Sequence, residues 1–107
     1  MTLPPPIRTY FDADGTPDGA APMSAFARDA AVHDEGRTHS GSKAIETWWR
    51  SAKAETRHTA VPTAVTERGD VTEVRATVSG DFPGSPAELT FVFRVDDGRI
   101  VDLRIGA

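Results

Sequence analysis

A carboxylate placed directly behind an apolar run is the side chain of this sequence best suited to chemistry. Asp34 follows Ala30, Ala31 and Val32, and strand alternation puts it on the face of Val32, opposite His33. Burial disfavours the charged form of a carboxyl group, so an aspartate there can serve as a general base or, protonated, as a hydrogen-bond donor. A structural reading competes: the residues that follow, Glu35-Gly36-Arg37, make a turn whose backbone N–H groups an aspartate can accept. Tyr10, the only tyrosine, falls on an apolar helical stripe, where its hydroxyl can face a ligand oxygen or find a backbone partner in the core. Asp102 interrupts the last apolar stretch between Val101 and Leu103. Alternation turns it away from both neighbours, as a solvent-facing strand residue or as a second acid on a cavity wall.

Other chemistries lack their residues. His33, His39 and His58, even with Asp34 and Glu35, match no compact ligand spacing, so no metal site is expected. No G-x-S-x-G, P-loop or G-x-G-x-x-G motif occurs, which removes the usual hydrolase, nucleotide and dinucleotide signatures. The chain has no cysteine, so thiol chemistry is excluded. No cofactor is expected, because proton transfer through aspartate and tyrosine needs none. A formal net charge of -4 without a long basic block argues against nucleic acid or an anionic membrane surface as partner. Arg28, Arg37, Arg50 and Arg57 read as isolated, solvated rim charges. The N-terminal MTLPPPIRTYF has neither the basic start nor the apolar run of a signal peptide, and no stretch approaches the roughly 20 apolar residues of a membrane span. A cytoplasmic protein is the expectation.

The elements that position these groups follow from periodicity. At 107 residues the chain makes a single domain, residues 1–107. Pro4, Pro5 and Pro6 suit a helix start, and Ile7, Tyr10 and Phe11 recur at helical spacing up to a stop near Gly15. After GTPDG, the residues Ala20, Met23, Phe26 and Ala27 predict a second helix with Pro22 in its first turn. Residues 30–34 read as strand, and Gly36–Gly41 as a turn or short hairpin. A third helix, capped by Ser40 or Ser42, carries Ala44, Ile45, Trp48, Trp49 and Ala52 on one stripe; the two tryptophans point about 100 degrees apart, so one fills the core and the other faces a cavity or interface. From Glu55 the period becomes two, through Thr72, Val74, Ala76 and Val78, then Leu89, Phe91, Phe93 and Val95, and Asp97-Gly98 signals a hairpin into a last strand ending at Ile105. Pro62 predicts an edge or a bulge in its strand. Phe82, in the turn SGDFPGSP, either packs the loop or covers a cavity mouth. Leu, Ile, Val and Phe total 21 residues, a lean core, and a homodimer formed through the sheet is expected on that ground.

The stretches YFDADGTPDGAAPMSAFARDAAVHDEG, SGSKAIETWW and FVFRVDDGRIVDLRI resemble the NTF2-like superfamily, which holds SnoaL-like polyketide cyclases and ketosteroid isomerases, and the resemblance covers nearly the whole chain. It implies an α+β NTF2-like cone: three N-terminal helices packed on a strongly bent antiparallel β-sheet around an apolar pocket. In this chain that pocket would be lined by Phe26, Val32, Trp48, Trp49, Phe82, Phe91 and Phe93. In ketosteroid isomerases a tyrosine of the first helix polarises the substrate carbonyl, an aspartate after the second helix moves the proton, and a late-strand acid completes the oxyanion hole. Tyr10 and Asp34 fall where the first two belong, whereas Phe91 stands in the place of the third. SnoaL-like cyclases use a late-strand aspartate in an acid/base pair, for which Asp102 is the candidate. The resemblance implies a small apolar or carbonyl-containing ligand. It leads to an isomerase or cyclase-like activity using Asp34 and Tyr10, or to a non-catalytic ligand-binding or dimerisation module.

Overall fold

The computed structural model describes residues 2–107. Helix α1, Pro5–Asp14, begins on prolines that lack N–H groups the first turn has no use for, and ends at Gly15. Its inner face carries Pro6, Ile7, Tyr10, Phe11 and, unexpectedly, Asp14. The chain then forms a six-stranded sheet: β1 (Phe26–Asp34), β2 (Arg37–Ser40), β3 (Thr59–Arg68), β4 (Val71–Ser79), β5 (Ala87–Asp96) and β6 (Arg99–Gly106). Helix α2, Ser42–Thr56, lies between β2 and β3 and buries Ile45, Trp49 and Lys53, one turn apart. The strand order is β2-β1-β6-β5-β4-β3.

Three expectations are corrected. There are two α-helices among the described residues; the segment predicted as a second helix holds only a 3-10 turn, Met23–Ala25, and extended chain from Phe26 onward. Pro22 stands immediately before that turn, and Phe26 pairs with Ile100 of β6, so strand pairing wins over a weak helical stripe. The sheet is mixed, because β1 runs parallel to β6 while every other pair is antiparallel. The meander from β3 to β6 brings its last strand back beside β1 in the same direction. Helix α2 starts after Gly41 without a side-chain cap; Ser42 Oγ reaches back to the Arg28 carbonyl instead, at 3.4 Å.

Other features agree with the reading from sequence. β3 is an edge strand with a register shift between Pro62 and Ala64. The turns Glu35-Gly36 and Asp97-Gly98 have positive φ at both residues, the two-residue hairpin geometry that matches strand twist. Val74, Ala76, Val78, Phe91 and Phe93 point inward toward the helices. Phe82 is half-buried and packs against the core. No helix among the described residues is long and apolar enough to cross a membrane.

The interior is filled by rings. Tyr10, 2 % exposed, has Phe11, Phe93, Trp49, Phe91 and Phe26 around it at centroid distances of 5.1, 5.4, 5.5, 6.0 and 6.1 Å, all edge-on. Such edge-to-face pairs add about 0.5–1.5 kcal/mol each to the burial of the rings.

Candidate functional site

Asp34 is the last residue of β1, and alternation does place it with Val32 on the concave face, since Val32 is fully buried and the helix α2 side chain Trp48 meets Asp34. Trp48 Nε1 donates to Asp34 Oδ2 at 3.1 Å. Among the described residues Oδ1 has no protein partner and no turn N–H donates to the side chain, so Asp34 is held by an indole rather than by the turn. Indole is a donor only, so Oδ2 accepts in this contact and the side chain's orientation is fixed by it. The two tryptophans differ in burial: Trp49 is 3 % exposed and its Nε1 donates to the Gly19 carbonyl, while Trp48 is half-buried beside His39 and Asp34.

A groove of about 350 Å³ runs along the end of β1, lined by His33, Asp34, Glu35, Gly36, Arg37, Thr38, Arg104 and Ile105. Asp34 from the concave face and His33 from the convex face both border it, because the strand ends there. Tyr10 is not among its lining residues, yet it lies in the field of Asp34. Burial pushes the Tyr10 phenol well above its ordinary value, and the negative charges of Asp14 and then Asp34 raise it further. The hydroxyl is therefore a neutral donor at any physiological pH.

Of the other sequence candidates, Phe26, Val32, Phe91 and Phe93 sit together in the core. Phe91, 3 % exposed, stacks near Phe93 at 6.3 Å and against Phe11 at 5.2 Å, so no acid stands there beside Tyr10. Asp102 faces the convex side, where Oδ1 lies 2.9 Å from His33 Nε2 and Oδ2 lies 3.4 Å from Arg104 Nε. His33 Nδ1 in turn meets Thr38 Oγ1 at 3.1 Å. No group of three His, Cys, Asp or Glu among the described residues is arranged to hold a metal ion.

One cluster escaped the sequence. Asp14, 1 % exposed, lies under Lys53 Nζ at 2.6 Å and His58 Nε2 at 3.2 Å, without a well-directed hydrogen bond to Oδ1. Lys53 Nζ also donates to the carbonyls of Thr16 and His58, and sits 5.2 Å from the Trp49 ring. Its three protons are thus spent on structure. The available signal was spacing: Asp14 continues the Ile7, Tyr10, Phe11 stripe, and Lys53 follows Ile45 and Trp49.

The α+β fold, two helices against a mixed six-stranded sheet, is one that the comparisons identify. The model of the SnoaL-like domain family matches residues 7–103. The chain belongs to that family, within the NTF2-like superfamily. It is similar, at 48% identity and a TM-score of 0.92 over 97% of this chain and 95% of the other, to a Sinorhizobium meliloti protein provisionally described as a polyketide cyclase. A Catenulispora acidiphila protein of ketosteroid isomerase-like fold, solved with trimethylamine, matches at 20% identity and a TM-score of 0.82 over 99% and 87% of the two chains. The protein Bal32a from a soil-derived mobile gene cassette matches at 22% and 0.81, over 95% and 86%. These last two show the fold alone. No curated protein matches the chain significantly.

Proposed function

We propose that this SnoaL-like domain binds a small, largely apolar carbonyl compound and moves a proton beside the carbonyl, as an isomerase or a polyketide cyclase-like enzyme does. The observation that carries the reading is the Asp34 carboxylate, oriented through Oδ2 by Trp48 Nε1 with Oδ1 left for a ligand at the edge of a groove. Asp34 is the general base. Tyr10, kept protonated by burial and by two neighbouring carboxylates, is the donor for a carbonyl oxygen that enters the cone. The description of the Sinorhizobium relative as a polyketide cyclase supports the same class of chemistry. The chain works as a homodimer joined through its sheet, in the cytoplasm, and needs no cofactor.

A non-catalytic reading is favoured by one observation, the five rings packed around Tyr10, which leave the cone interior filled with side chains. In that case Asp34 orients a ligand or secures Trp48. Titration with acetophenone tests the site, read at the two indole N–H signals by NMR. The Trp48 signal moves with ligand and the Trp49 signal, fixed on Gly19, does not. Movement of neither signal up to millimolar acetophenone, or of Trp49 alone, contradicts binding at Asp34.

A further inference from the structure

The donor expected from a late-strand acid is missing, since Phe91 fills that place, but the groove beside Asp34 has a donor of its own. Thr38 borders this groove, and its Oγ1 lies 3.1 Å from His33 Nδ1, whose Nε2 lies 2.9 Å from Asp102 Oδ1. The three residues come from adjacent strands: Thr38 on β2 is the register partner of His33 on β1, and Asp102 is on β6. We infer that Thr38, backed by His33 and Asp102, is the proton donor to the carbonyl oxygen of a ketone bound in the groove. The inference rests on the reading of Asp34 as the base and names its partner for ligands that Tyr10 does not reach.

The chemistry balances within these groups. Asp34 takes the α-proton of the ketone, and the C–H electron pair becomes the C=C bond of the enol. The carbonyl π pair forms a new O–H bond with the Thr38 hydroxyl proton. Thr38 Oγ1 takes the Nδ1 proton of the His33 imidazolium, leaving a neutral ring whose Nε2–H still donates to Asp102. In the charged ring both nitrogens donate, so Thr38 accepts from Nδ1 and its own proton is free for the ligand. Reversal with solvent deuterium on Asp34 returns an α-deuterated ketone. The charged groups facing His33 are Asp102 and Arg104 on β6, with Arg94 beside Asp102 in the register of β5, and Asp34, Glu35 and Arg37 at the groove.

The test is deuterium incorporation from D2O into cyclohexanone and acetophenone by the full chain, followed by NMR across pH. Thr38 is exposed, so Thr38→Val and Thr38→Ser both leave the fold intact. Thr38→Val loses about 10- to 100-fold of the rate above buffer and Thr38→Ser keeps it, within the usual range for one acid/base group. Asp102→Asn retains the ring but changes the pH dependence of the rate, because the carboxylate that accepts from Nε2 is replaced by a neutral amide. A merely structural pair leaves that profile in place. A wild-type rate and profile in Thr38→Val, His33→Gln and Asp102→Asn, with Asp34→Asn inactive, overturns this inference and leaves the base standing. Wild-type protein that exchanges neither ketone faster than buffer overturns both.

Discussion

Asp34 and Tyr10 are opposite cases of what surroundings do to an acid. Asp34 keeps one oxygen free and the other on a donor; Tyr10 is sealed among rings and stays a phenol. The second has a consequence for stability. In the unfolded chain the phenol ionises near its ordinary value of about 10, while in the folded chain burial, Asp14 and Asp34 hold it neutral to higher pH. Its contribution is therefore complete below about pH 10 and is lost as pH rises above that value. Urea unfolding at pH 9 and pH 11 is expected to show a steeper alkaline loss for wild type than for Tyr10→Phe. Equal losses would show that the phenol is not protected. The sequence made Asp34 and Tyr10 visible because each is a polar group within an apolar pattern. It could not show that Trp48, 14 residues further on, would hold Asp34, because that contact depends on where α2 crosses β1.

At the level of elements, a buried ion cluster ties the end of α1 to the end of α2 and the start of β3. Asp14 lies at the end of α1, Lys53 in the last turn of α2 and His58 immediately before β3, and Thr56 Oγ1 meets His58 Nδ1 at 2.9 Å. Removing one partner leaves a charge buried and unpaired, which costs about 3–5 kcal/mol, whereas removing both is far milder. Lys53→Met is expected to destabilise the chain by that amount in urea unfolding, and Asp14→Asn with Lys53→Met to recover most of it. No recovery in the double variant would mean that the lysine acts through packing against Trp49 rather than through charge. Element reading from sequence succeeded where one pattern dominated, as in α1, α2 and the alternation of β4 and β5. It failed at Phe26–Asp29, where a weak helical stripe and a strand are equally compatible with the residues and only β6, about 70 residues away, decides between them.

The whole molecule is a lean cone whose inner space is largely taken by aromatic rings, so the proposed ligand chemistry falls at the open end of β1. Its outer sheet face is where a second copy is proposed to pack. Sedimentation velocity at micromolar concentration is expected to give the mass of a dimer, and a clean monomer at every concentration would contradict that assembly. The parallel pairing of β1 with β6 positions the proposed site, because it places His33 next to β6 near the end of β1 at Asp34. This was not legible in local sequence, since a crossover is decided by the path of the whole chain. The most direct measurement is the rate of deuterium incorporation from D2O into cyclohexanone with wild-type protein and with Asp34→Asn. The expected result is a rate above buffer that falls at least about 100-fold in the variant while its folding is unchanged, as for loss of a general base. Equal rates in the two proteins would contradict the central claim that Asp34 moves the proton.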